Sequence, residues 1–164
     1  GFYWRDIGTI DAYWKASMEL LSAPPPFDPC APDWPVHTFR PDLPVAPLLR
    51  VNGSAPRVTE ALLCPGAEVI DAHVERSILS AGVRVEPQAA VCVLLEGVHV
   101  GSGSQVYRAI VDQGVHIPAN YGIGGAPPCR AGDVHVSPAG ITVVPQGTAL
   151  APYAQIAAPY ACVG

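Results

Sequence analysis

Charge is the scarcest property of this chain. Asp, Glu, Lys and Arg make up 14% of its 164 residues, against about a quarter of an average domain, so part of the surface is expected to lie under another chain or domain. Nine basic and fourteen acidic side chains leave a net charge of -5, and no run of Lys or Arg breaks the acidic balance. A phosphate backbone and an anionic membrane surface are thereby excluded as natural partners. No apolar stretch reaches the roughly 18 residues of a membrane span. Cys30, Cys64, Cys92, Cys129 and Cys162 form no C-x-x-C pair, so neither a disulfide framework nor a zinc site is indicated and a reducing cytosol fits best. Gly1 is neither a start residue nor the head of a secretion signal, and the chain is expected to be a piece of a longer protein.

What is present points to a packed core. Apolar residues make 49% of the chain, while 16 glycines and 19 prolines stay below the proportion that marks disorder. Ile10, Tyr13, Trp14, Met18 and Leu21 fall on one helical face between Thr9 and Leu21, with Thr9 as N-cap and Asp11 in the first turn. Ten prolines then lie between Pro24 and Pro56. They exclude a regular helix or a central strand and predict a stiff linker, held to a surface by Trp34, Phe39, Leu48 and Leu49.

From Val58 onward the chain repeats. Gly66-Ala-Glu-Val69, Gly82-Val-Arg-Val85, Gly97-Val-His-Val100 and Gly114-Val-His-Ile117 recur at spacings of 16, 15 and 17 residues, each preceded by an aliphatic pair such as Ile78-Leu79 or Leu94-Leu95. A unit this short cannot bury its own apolar face, so successive copies must stack into a solenoid of parallel strands. The copies predict a parallel β-helix from about Val58 to Ala119. The runs Val134-His-Val136 and Ile141-Thr-Val-Val144, beyond a loop holding Gly125, Pro127 and Pro128, are expected to cap its open end. The domain reading is therefore 1–23 for the end of an upstream domain, 24–57 for the linker, 58–145 for the β-helix, and 146–164 for an uncharged tail with no assignment.

Side chains able to do chemistry concentrate at the start, in Tyr3-Trp-Arg-Asp-Ile-Gly-Thr9. Asp6, just before a glycine and a helix N-cap, reads either as a turn carboxylate or as a ligand for a divalent cation, with Arg5 and the helix N-terminus facing an anion. Glu68, Arg84, His99 and His116 share one slot of successive copies and should stack about 4.8 Å apart. That slot lies between two inward aliphatics and so points to solvent; its two histidines lack a third metal ligand. His37 and His73 have no nameable partner. Cys64 and Cys92 read as small buried hydrophobes. Gly101-Ser-Gly103-Ser reads as a coil corner, not a phosphate-binding loop.

Y-W-R-D-x-G-T-I-D-A-Y-W, a Pro-rich passage with Asp33-Trp-Pro35, and the repeats, in that order, resemble the glucose-1-phosphate adenylyltransferases. Arg76-Ser-Ile-Leu79, Val83-Arg-Val85, Ile110-Val-Asp112, Ile117-Pro118 and Gly140-Ile-Thr-Val-Val144 extend the likeness over roughly residues 1 to 145. The resemblance implies an all-β, left-handed parallel β-helix preceded by one helix and a Pro-rich linker, forming the carboxy-terminal part of a cytoplasmic enzyme that assembles as a homotetramer. It implies transfer of AMP from ATP to glucose 1-phosphate with Mg²⁺, giving ADP-glucose and pyrophosphate for glycogen or starch synthesis. Asp6 then looks like one of two aspartates that hold the ion, and Arg5 a substrate contact. The second aspartate and the G-x-G-x-R-L phosphate loop are absent, so the fragment alone is not expected to turn over.

In the same family the β-helix serves association and, with the catalytic domain, binds a phosphorylated allosteric effector. The resemblance puts Arg108 and Gln113 at that effector site. Tyr107, Gln113 and Pro47 stand where basic residues are usual, which weakens the expected response. The third coil also reads about two residues short around Val91-Cys-Val-Leu94. Two rival readings are a hexapeptide-repeat acyltransferase, which shares the solenoid but not the opening motif, and a non-catalytic regulatory subunit, against which the intact motif argues.

Overall fold

The computed structural model describes residues 3–29, 31–33, 42–51, 55–87, 89–124 and 134–151. His37, Trp34, Phe39, Cys30, Cys129, Cys162, the loop residues Gly125, Pro127 and Pro128, and the tail from 152 onward lie outside them.

Helix α1 spans Ile10–Glu19, and Thr9 caps it by accepting a hydrogen bond from the Ala12 amide on its Oγ1 at 3.1 Å. Its apolar face, Ile10, Tyr13, Trp14 and Met18, packs on Val93, Ile110 and Ile141. The helix predicted from spacing is thus docked on the solenoid by the very residues that revealed it.

Thirteen strands follow among the described residues: β1 Leu48–Leu49, β2 Arg57–Leu63, β3 Glu68–Ile70, β4 His73–Leu79, β5 Arg84–Val85, β6 Ala90–Leu94, β7 His99–Val100, β8 Gln105–Val106, β9 Ala109–Val111, β10 His116–Ile117, β11 Gly122–Ile123, β12 His135–Val136 and β13 Thr142–Val144. One wall of the coil is the parallel sheet β1-β3-β5-β7-β10. The other two walls come from strands that fold across a corner. β2 and β4 change direction at Glu60 and Arg76, and β8 passes to β9 through Arg108, all three with positive φ of 46 to 48°. Another set of turns carries the repeat glycines Gly66, Gly82, Gly97 and Gly114 at φ of 64 to 75°, a conformation that costs an L side chain energy and glycine none.

Every coil sends aliphatic side chains inward. Val69, Val85, Val100 and Ile117 form one fully buried column, and Leu79, Leu94 and Val111 another. Each such residue contributes about 1.5–3 kcal/mol of apolar transfer free energy.

Three features depart from the sequence reading. Leu48–Leu49 already pairs in parallel with β3, and Arg57 with His73, so the solenoid takes in residues from the stretch read as linker. β13 pairs in parallel with β9, Thr142 opposite Ala109, and is a further rung of the solenoid where a cap was expected; only β12 runs antiparallel, folding back on β13. Beyond β13, Gly147 has φ +77° and Leu150 is buried in the core, repeating the pattern of Gly114 and Ile117. The insertion between β11 and β12 nearly doubles the spacing, which hid this copy from a search by period.

The shortened third coil is real. Val74 to Ile78 of β4 faces Val91 to Val93 of β6, so β6 has two residues fewer at this corner. A cleft of about 410 Å³ opens beside it, lined by Trp14, Met18, Arg76, Cys92, Tyr107 and Arg108 among others.

Gly101 explains the Gly-Ser-Gly-Ser stretch. A Cβ there would meet the backbone of the next coil at Ala119 N, Pro118 C and Ile117 O, 2.6 to 2.8 Å away. Gly101→Ala is expected to destabilise the solenoid by about 1–3 kcal/mol, as overpacking against a backbone that cannot yield does. Equilibrium denaturation checks this, and an unchanged midpoint would mean that the coils separate freely.

Candidate functional site

The segment before α1 is held by its own polar groups. Asp6 Oδ1 accepts from the Gly8 amide at 2.9 Å, and a Cβ on Gly8 would come 3.2 Å from that oxygen, so Gly8 makes room for the carboxylate to fold over the turn. Asp6 is exposed, and its Oδ2 has no hydrogen-bond partner among the described residues. One carboxylate oxygen is thus committed to the loop while the other faces outward. No cluster of three or more His, Cys, Asp or Glu exists among the described residues. Asp6 Oδ2 is an oxygen donor of the hard type that a divalent cation takes, and by itself it would fill one position of such an ion's shell.

Arg5 is engaged elsewhere. Its Nε and Nη2 donate to the two oxygens of Glu19 at 2.9 and 2.7 Å, and the Tyr3 hydroxyl donates to Glu19 Oε2 at 2.9 Å. This fork ties the opening segment to the last turn of α1. The hydrogen bond from Arg5, followed by that from Tyr3, holds the Glu19 carboxyl below the usual carboxylate range. Such a depressed group favours the fold above the ordinary glutamate pKa, and that contribution is lost as pH falls through the lowered value.

The two effector candidates stand apart. Arg108 sits at the corner before β9 and donates from Nη2 to the Ala139 carbonyl at 2.7 Å. Gln113 lies in the turn after β9, where its amide donates to Asp112 Oδ1 at 2.7 Å. A strand separates them, about 15 Å of extended backbone. Asp112 also accepts from the Gln146 amide at 3.2 Å, which gives it a structural task the sequence did not signal.

The predicted ladder forms in register: Glu68 opposite Arg84, Arg84 opposite His99, His99 opposite His116. The imidazoles of His99 and His116 stack with centroids 4.6 Å apart and planes 8° from parallel. Rings stacked in this way cannot both aim a nitrogen lone pair at an ion between them. Arg84 pairs with Glu68 at 2.5 Å and with Glu86 at 2.8 Å, and His99 Nε2 lies 3.2 Å from Glu86. The stripe is a charge-compensated face of the coil. His73, which had no nameable partner in the sequence, lies 3.5 Å from Glu75. Burial pushes the Cys92 thiol up, away from reactivity, whereas Cys64 is only half-buried.

The coil geometry and the repeat define a hexapeptide-type solenoid. Residues 46–144 match the family model described as GlmU-like, C-terminal hexapeptide, and the chain belongs to that family, whose coils wind in the left-handed sense. Its curated relatives are more particular. The glucose-1-phosphate adenylyltransferase of Photobacterium profundum is 35% identical over 144 residues, 87% of this chain and 36% of that protein. Those of Paraburkholderia phymatum, 37% over 134 residues, and Rhodopirellula baltica, 35% over 151, are similar. The resemblance read from the opening motif and the repeats is borne out. The chain spans about a third of the length of these relatives, and the match reaches beyond the solenoid.

No described helix is long and apolar enough to cross a membrane.

Proposed function

We propose that this chain is the carboxy-terminal part of a glucose-1-phosphate adenylyltransferase. The observation that carries the proposal is a hexapeptide solenoid joined to Tyr3-Trp-Arg-Asp-Ile-Gly-Thr9, on which Asp6 presents a carboxylate oxygen with no hydrogen-bond partner among the described residues. In the reaction an oxygen of the glucose 1-phosphate phosphate attacks the α-phosphorus of ATP. The bond from that phosphorus to the pyrophosphate leaving group breaks, and ADP-glucose forms. A bound Mg²⁺ supplies neutralisation of the phosphate charge and alignment of the attacking and leaving oxygens. Asp6 Oδ2 is the ligand this chain contributes. Arg5 keeps its Nη1 donors for a substrate phosphate while Glu19 occupies the other edge of the guanidinium.

The enzyme works in the cytoplasm as a homotetramer assembled through its solenoids, which accounts for the low surface charge. A phosphorylated effector spans Arg108 and Gln113 along β9, and the uncharged Gln113 weakens its hold. A charge-assisted contact is worth about 1.5–3 kcal/mol, so Gln113→Arg is expected to lower the effector concentration needed by roughly tenfold.

The test is formation of ADP-glucose and pyrophosphate from ATP and glucose 1-phosphate by the longer protein that contains this chain, with and without effector. Mg²⁺-dependent turnover supports the reading. Acyl transfer from an acyl thioester with no adenylyl transfer would replace it with the acyltransferase alternative, and an inert protein would favour the regulatory subunit.

A further inference from the structure

The turn from Ser137 to Gly140 is gripped from two sides. On the helix side, Asp11 accepts from the Ser137 hydroxyl on Oδ1 and from the Ala139 amide on Oδ2, the latter at 3.3 Å. On the coil side, Arg108 donates to the carbonyl of the same Ala139, and its own carbonyl accepts from the Thr142 amide at 2.9 Å. Ser137 is buried, and its hydroxyl also accepts from the Ile141 amide at 3.1 Å. Asp11 and Arg108 thus lie more than ninety positions apart in sequence and meet on one residue, Ala139.

This arrangement explains what apolar packing leaves open. The contact of Ile10, Tyr13, Trp14 and Met18 with Val93, Ile110 and Ile141 is non-directional and would tolerate sliding of α1 along the wall. Hydrogen bonds donated by a fixed turn to a carboxylate do not. Asp11 lies in the first turn of α1, two residues beyond the end of Asp6-Ile-Gly-Thr9, so fixing Asp11 fixes where that loop stands on the coil. Arg108 also lines the cleft left by the short third coil, together with Trp14 and Met18 of the same helix.

We propose that Asp11, Ser137 and Arg108 form a clamp on the 137–140 turn that positions helix α1, and with it the Asp6 loop, on the solenoid. Asp11 is a positioning residue, and Arg108 acts on the helix through Ala139. Anything that draws the Arg108 guanidinium away from Ala139 loosens the helix. The consequence for Asp6 and for an effector rests on the adenylyltransferase reading; the clamp does not.

Hydrogen exchange of the α1 amides in this chain tests it, with Asp11→Ala, Arg108→Met, which keeps the β-carbon and stem, and the double variant. Each single change is expected to speed exchange of the α1 amides about tenfold or more while β4 amides keep their protection. Because both residues act on one turn, the double variant should lie within about threefold of the more severe single one. Effects that multiply in the double variant, an Arg108→Met that leaves α1 unchanged, or equal loss of protection in β4 would each overturn the clamp. In the longer enzyme, Asp11→Ala is expected to lower kcat by about tenfold with KM for glucose 1-phosphate unchanged; an unchanged kcat overturns the positioning of Asp6. Inorganic phosphate separates the readings. It should speed α1 exchange in the unaltered chain but not in Arg108→Met, and silence here beside a non-additive cycle removes the effector role of Arg108 while the clamp stands.

Discussion

Asp6→Asn in the longer enzyme is expected to lower Mg²⁺-dependent turnover by roughly a hundredfold or more, equivalent to about 2.7 kcal/mol of transition-state stabilisation. The change is nearly isosteric and keeps an oxygen to accept from the Gly8 amide, the one hydrogen bond Asp6 makes among the described residues. The turn and the start of α1 should therefore persist, and melting of the solenoid should not move. What is lost is the negative charge on an oxygen that has no hydrogen-bond partner among the described residues. Steady-state rates of pyrophosphate release against Mg²⁺ concentration make the measurement. A variant that reaches the unaltered rate at saturating Mg²⁺ would mean that Asp6 serves only its turn.

Leu94→Ala should have the largest effect on stability. Leu94 is fully buried and stands between Leu79 and Val111 in the ladder, so the vacated volume is enclosed by a coil above and a coil below. Neither can collapse into it without breaking register. Loss of a buried leucine costs about 2–5 kcal/mol, which in a domain of this size lowers the melting temperature by about 10 °C or more. Val136, on the exposed strand β12, is the control: Val136→Ala should stay within about 0.5 kcal/mol. Equal effects at the two positions would show that the column through Leu94 is not the core.

The solenoid was legible because its repeat is local. Gly-x-x-aliphatic recurs at nearly constant spacing, inward and outward positions alternate, and no unit can satisfy itself alone, so stacking follows from the chain. The in-register ladder from Glu68 to His116 needed nothing more than the offset of each residue from its glycine. The docking face of α1 was likewise written in the spacing of Ile10, Tyr13, Trp14 and Met18. Where a repeat is interrupted, period fails: the residues between β11 and β12 displaced β13 and Leu150 far enough that a parallel rung looked like a cap and its successor like an unassigned tail.

Site geometry was less legible. The sequence determined which residues carry charge near the start of the chain and that an aspartate precedes a helix cap. Only the tertiary structure decided that Arg5 spends its fork on Glu19, that Arg108 and Gln113 sit at opposite ends of one strand, and that Asp11 and Arg108 converge on Ala139. The reason is physical. Burial and periodicity are averages over many weak contacts and leave a statistical trace in sequence, whereas a hydrogen bond between residues distant along the chain depends on where two backbones happen to meet within a few tenths of an ångström, and no local pattern encodes that distance.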